Sequence, residues 1–325
     1  MVEPQTIGFD AIRAAAGRIA GIAKKTPVQT CSTLDQLAGR SLFLKCEQFQ
    51  KVGAFKFRGA CNAVQQLSKE ARQHGVLTHS SGNHAQALAL AARQAGISAH
   101  VVMPSNANPM KQKAVEQYGA RVISCQPTLQ ARETTAARIQ EETGAAFIPP
   151  YDHPHIIAGA GTAALELIEE VAELDVLVAP VGGGGLMAGS CLAARHLCPH
   201  AQLFAAEPVG ADDAAKSFQA GKLIPQTNPT TIADGLLTSL GELTWPILRD
   251  HLTDVITVSD EEIVNAMRLL WERAKLLVEP SAAVAIAAVL NDRFQSQAKG
   301  KRVGVILSGG NANLDALPWR CPPLS

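Results

Sequence analysis

Val76-Leu77-Thr78-His79 leads into Ser80-Ser81-Gly82-Asn83-His84 and then into an alanine-rich run from Ala85 to Ala95. The first four residues read as a short buried strand, the next five as a polar loop, and the run as a helix with small apolar residues on its buried face. The same unit repeats outward. Strands are expected over 100–103, 121–124 and 146–148, with helices over 110–118 and 131–142 between them. A second series follows the Pro149-Pro150 pair, where residues 151–155 read as a crossing between lobes. It has helices over 163–171, 186–196, 261–275 and 281–290, and strands over 176–181, 203–206, 255–258 and 302–307. Strands alternating with helices imply parallel sheets covered on both faces. Upstream, Asp10 is read as the cap of a helix with Ile12, Ala16, Ile19 and Ala23 on one face. A strand over 41–46 and a helix through Ala60, Val64 and Leu67 follow.

Composition narrows the function. The 325 residues carry 29 Lys plus Arg against 29 Asp plus Glu, so no basic field for nucleic acid or anionic membrane exists, and the partner is read as a small molecule. Glu3, Asp10, Arg13 and Arg18 break the N-terminal alanines, and no later run is long and apolar enough to span a bilayer; the chain is read as cytoplasmic. Seven cysteines without a Cys-x-x-Cys pair suggest neither a disulfide framework nor a zinc knuckle, and are read as buried thiols.

In open parallel sheets ligands sit beyond the carboxyl ends of strands. Three loops there are unusual. The stretch His79-Ser80-Ser81-Gly82-Asn83-His84-Ala85-Gln86 places hydroxyls, an amide and imidazoles at a helix start, where free N–H groups favour a carboxylate. Gly182, Gly183, Gly184 and Gly185 let the backbone turn its N–H groups toward a phosphate without side chains in the way. On this loop alone a dinucleotide dehydrogenase reads equally well, because Gly183-x-Gly185-x-x-Ala188 with Glu207 satisfies the relaxed fingerprint. Ser308-Gly309-Gly310-Asn311 closes the last strand. To these the segment Gly53-Ala54-Phe55-Lys56-Phe57-Arg58-Gly59-Ala60 adds a lysine between two aromatic residues, where desolvation favours a nucleophilic amine able to form a Schiff base. A phosphate cradle with such an amine describes pyridoxal phosphate (PLP) better than NAD, whose chemistry needs no amine.

These motifs, with Glu207-Pro208, Thr231-Ile232-Ala233-Asp234-Gly235 and Glu279-Pro280-Ser281-Ala282 in the same order, make the chain similar to the fold-type II PLP-dependent enzymes. Within them it resembles the serine racemase, threonine dehydratase and 3-hydroxyaspartate dehydratase group along nearly its whole length. The resemblance implies a tryptophan synthase β-like α/β fold, two open parallel-sheet domains with the cofactor between them. Residues 1–67 and 153–325 would form the large cofactor-binding domain, and 68–152 the small substrate-binding one. It implies a homodimer and a dehydratase (ammonia-lyase) reaction, with racemisation on the same scaffold as the alternative.

By that likeness Lys56 carries the cofactor and removes the substrate's Cα proton, and Ser81 lies on the opposite ring face. Phe55, Asn83, Glu279 and Ser308 surround the ring, and the four glycines hold its phosphate. A neutral serine at the pyridine nitrogen does not enforce its protonation, which suits prompt loss of a β-leaving group. Ser80, Ser81, His84, Arg132 and Ser239 would meet the substrate, with the Arg132 guanidinium placed to pair with a β-carboxylate. Glu207, Ala211 and Asp213 match a divalent-cation site of oxygen ligands, hence Mg²⁺, Ca²⁺ or Mn²⁺. Ala54 and Ala85 depart from the serine and glycine of animal serine racemases, which inclines the reading toward dehydration.

Overall fold

The computed structural model describes residues 7–107 and 109–319. Ten strands order into two sheets among them: β1 Val28–Gln29, β2 Ser41–Cys46, β3 Val76–His79, β4 Ala99–Pro104, β5 Arg121–Cys125, β6 Ala146–Phe147, β7 Val176–Pro180, β8 Gln202–Pro208, β9 Asp254–Val258 and β10 Arg302–Leu307. The larger sheet runs β1-β2-β10-β7-β8-β9 and the smaller β5-β4-β3-β6. Only β1 is antiparallel to its neighbour. Every residue of β7 is buried, as a parallel strand covered on both faces requires.

Register sets the carboxyl ends side by side. Leu307 of β10 pairs with Cys46 of β2, Val305 with Val178 of β7, and Pro180 of β7 with Ala206 of β8. The loops that carry Lys56, Ser308 and the four glycines therefore leave one edge of the large sheet. In the small sheet β3 lies between β4 and β6, and its exit loop carries residues 80–84.

The helix expected to begin at Ala163 begins at Pro154 and runs to Val171. Its Gly159 and Gly161 explain the extension: a Cβ on Gly159 would stand 2.7 Å from the Arg58 carbonyl oxygen, and one on Gly161 2.9 Å from that of Gly189. Small residues here admit close approach of the helices Lys56–Gln65 and Gly185–Leu197. Arg58, fully buried, clamps the first of these. Its Nε and Nη2 donate to both Glu47 carboxylate oxygens at 2.8 Å, and Nη1 donates to Glu166 at 2.7 Å.

Two expectations are corrected. The first helix, Phe9–Ile19, has Gly8 at its N-cap and no side-chain cap, so Asp10 sits within the first turn and contributes only charge there. The thiols are mixed: Cys46, Cys61, Cys191 and Cys198 are buried, Cys31 and Cys125 are half-buried, and Cys321 lies outside the described residues. No described helix is long and apolar enough to cross a membrane.

Candidate active site

Between the sheets' exit loops lies a cavity of about 510 Å³, the size of a cofactor pocket. Phe55, Lys56, Ser80, Ser81, Asn83, His84, Arg132, all four glycines, Glu279 and Ser308 line it. Ser239 does not; its hydroxyl accepts the Gln226 N–H at 2.9 Å, and Thr238 faces the cavity instead. Glu207, Ala211 and Asp213 lie outside the lining, behind the carboxyl end of β8.

Lys56 opens its helix two residues before the Arg58 clamp, and its half-buried amine donates to the Pro150 carbonyl at 2.8 Å, 5.1 Å from the Phe55 ring centroid. Burial lowers its pKa to about 8, with the Glu279 charge pulling the other way. Glu279 is itself pushed up to about 7 by burial and by the charge of Asp234. Its Oε1 accepts from the Asn83 amide at 2.8 Å, while Asn83 Oδ1 accepts from Asn311 at 2.7 Å. Asn83 is thus fixed in orientation from both ends. Ser308 is buried, and its carbonyl takes the Phe55 N–H at 3.0 Å, tying the last strand's exit to the lysine segment.

The glycine loop fits a phosphate. Among the described residues nothing accepts the N–H groups of Gly182, Gly183 or Gly184, and the helix that starts at Gly185 adds its own free first-turn N–H groups. Gly184 sits at φ 90°, which L side chains rarely adopt. The 80–84 loop is built likewise. Ser80 N–H donates to Val102 and Gly82 N–H to the Ser80 hydroxyl, whereas the N–H groups of Ser81, Asn83 and His84 point to no acceptor among the described residues. His84 is buried, and Nε2 meets the Ile148 carbonyl at 3.0 Å, which requires the proton on that nitrogen. Burial and the Lys56 charge hold its pKa at about 3 and the ring neutral.

The dinucleotide reading of this loop meets an obstacle. Glu207 is fully buried and spends its carboxylate on the Ala214 and Ala215 N–H groups at 3.0 and 2.9 Å, so it cannot reach a ribose in the cavity. Asp213 Oδ2 accepts from Leu240 N–H at 2.9 Å, and its Oδ1 is buried without a donor. Burial raises both acids, Asp213 to about 6 and Glu207 well above the usual carboxylate range. An orphaned carboxylate oxygen beside a second acid is chemically suited to a hard cation. Among the described residues no cluster of three or more His, Cys, Asp or Glu side chains forms a metal site, and the expected set holds only two carboxylates.

Sequence reading overlooked several lining residues. Lys111 pairs at 2.5 Å with Asp234, a member of the 231–235 motif given no role of its own, and Tyr151 also lines the cavity, as does His79 from the quoted 79–86 stretch. Tyr151 follows the double proline at the lobe crossing, the one signal that singled out its segment.

An amine with a lowered pKa, sharing one cavity between two parallel sheets with a cradle of N–H groups, defines an α/β enzyme built to hold a phosphorylated aldehyde cofactor. The sequence profile described as "Pyridoxal-phosphate dependent enzyme" matches residues 19–309, and the chain belongs to that family. Serine racemase from Dictyostelium discoideum is 46% identical over 97% of this chain and 98% of its own length. The beta-hydroxyaspartate dehydratase of Paracoccus denitrificans is 47% identical over 96% and 98%. A crystal structure of the Dictyostelium discoideum serine racemase superposes with a TM-score of 0.92, covering 95% of this chain and all of that one.

Proposed function

We propose that the chain is a PLP-dependent dehydratase that removes the β-hydroxyl of a small hydroxy amino acid, giving a 2-oxo acid and ammonia. The substrates are 3-hydroxyaspartate, serine or threonine. The observation that carries this reading is the presence in one cavity of Lys56, with its lowered pKa, and Arg132, whose guanidinium has no ion-pair partner among the described residues. Bound through Lys56, PLP supplies the electron sink that acidifies the amino acid's Cα–H bond.

The chain's own residues do the rest. The free N–H groups of the 80–84 loop hold the α-carboxylate, and Arg132 takes a β-carboxylate in bidentate fashion. Lys56, as the free amine, accepts the Cα proton. Asn83, braced by Glu279 and Asn311, orients the ring, and Ser308 offers its nitrogen a neutral partner. Ser81 in the same cavity, together with the likeness to serine racemase, supports racemisation as the second reading.

In the same reading Glu207, Ala211 and Asp213 hold Mg²⁺, Ca²⁺ or Mn²⁺, residues 68–152 form the small substrate-binding domain with 1–67 and 153–325 as the large one, and the enzyme is a cytoplasmic homodimer. The test is 2-oxo acid formation from 3-hydroxyaspartate stereoisomers, L-serine and L-threonine, with and without Mg²⁺ and a chelator, using Lys56→Ala as control. A 2-oxo acid that forms with wild type and not with Lys56→Ala supports the dehydratase, and oxaloacetate formed faster than pyruvate supports the role of Arg132; loss of optical purity in serine without 2-oxo acid replaces the dehydratase with the racemase.

A further inference from the structure

Residues 150–152 join the lysine, the glycine loop and the helix that packs behind that loop. The Pro150 carbonyl accepts the Lys56 amine at 2.8 Å. The next residue, Tyr151, lies flat against the glycine loop: a Cβ on Gly183 would fall 2.2 Å from Tyr151 Cγ, and one on Gly185 3.1 Å from its Cβ. These are atoms at the root of the ring, which cannot swing aside as a flexible side-chain end can. Tyr151 and Thr238 both line the cavity. Asp152 then accepts the N–H groups of Glu242, Leu243 and Thr244 at 3.0, 2.9 and 3.2 Å, capping the helix Thr244–His251. Thr244 closes the circuit by donating its hydroxyl to the Gly183 carbonyl at 2.9 Å.

We propose that Tyr151 is a positioning residue that fixes the Lys56 amine relative to the phosphate cradle, its ring being the surface on which the glycine loop rests. Glycine at 183 is then demanded twice, once by the phosphate and once by this ring. The proposal rests on the cofactor reading above, and the two fail differently: wild-type apoenzyme that takes up no PLP sinks that reading and leaves the packing test standing.

The packing test is a double-mutant cycle on apoenzyme melting. Gly183→Ala is expected to lower the apo Tm by about 3 °C or more where Tyr151 is present, the usual effect of overpacking, and by less than about 1 °C in Tyr151→Ala. Equal lowering in both backgrounds, or none in either, overturns the proposal. The positioning test uses PLP titration and kinetics of the holoenzyme. Tyr151→Ala should weaken PLP binding at least about tenfold and reduce kcat with KM little changed, while Tyr151→Phe, which keeps the ring, stays within about threefold on both. If Tyr151→Ala does not fold, Tyr151→Leu, which also lacks the flat ring, takes its place in both tests. A folded ring-less variant with wild-type PLP affinity and kcat refutes the assignment.

Discussion

Apoenzyme should capture the aldehyde of PLP with a rate that turns over near pH 8, because only the uncharged Lys56 amine attacks. With the pKa lowered to about 8 from 10.5 by burial, about 9% of the amine is neutral at pH 7, against about 0.03% for an ordinary lysine, a gain of roughly 300-fold. The capture rate should therefore rise about fivefold from pH 7 to 8, and only about twofold from 8 to 9. Glu279 supplies the attraction that keeps this pKa from falling further, so Glu279→Gln should move the midpoint to lower pH. The assay is stopped-flow growth of visible absorbance on mixing apoenzyme with PLP between pH 6 and 10. Lys56→Ala serves as background, and a simple alkylamine corrects for the aldehyde's own ionisation. A rate still climbing steeply at pH 10, or a midpoint moved upward by Glu279→Gln, would refute the argument from burial.

Arg132→Leu should cut kcat/KM for 3-hydroxyaspartate about 100-fold, the loss of about 3 kcal/mol of charge-assisted hydrogen bonding, while serine turnover changes by less than about threefold. Apoenzyme stability, followed by urea midpoints, should fall between pH 4.5 and 7 as Glu279 ionises in the unfolded chain before the folded one. It should recover between pH 8 and 10.5, where unfolded Lys56 holds its proton longer, leaving a minimum between 7 and 8. If Asp213 holds a cation, Mg²⁺ should raise the melting temperature of wild type and not of Asp213→Asn. Arg58→Ala should cost about 3–5 kcal/mol in chemical denaturation, because it leaves the buried Glu47 carboxylate unpaired.

The alternating units were legible because each strand is a short apolar run with a polar exit loop; the strands at 41–46, 76–79 and 302–307 lie where the pattern puts them. The small helices Ser32–Ala38, Lys69–His74 and Asp292–Gln297 were not, since six or seven residues hold too few turns to show a period. The start at Pro154 was hidden by glycines that lower helix propensity but serve interhelical contact. In the cavity, loops with unusual composition announced themselves. Lys111 comes from an ordinary-looking helix, while the stretches of Tyr151 and Asp234 were singled out without a role for either side chain, which only tertiary packing brings to the cavity. Between Thr238 and Ser239, adjacent hydroxyl residues, composition offers no choice, and the turn of the backbone decides which faces inward.

The place of β10 also constrains how the chain is made. The last strand in order among the described residues, it inserts between β2 and β7, so Ser41–Cys46, paired on its other side with Val28–Gln29, waits for that neighbour until residues 302–307 emerge. The small sheet, contiguous from 76 to 147, has no such dependence and can assemble during synthesis. A nascent chain stalled before residue 302 would hold a finished small sheet and a large sheet in two pieces, with an open edge on each side of the gap.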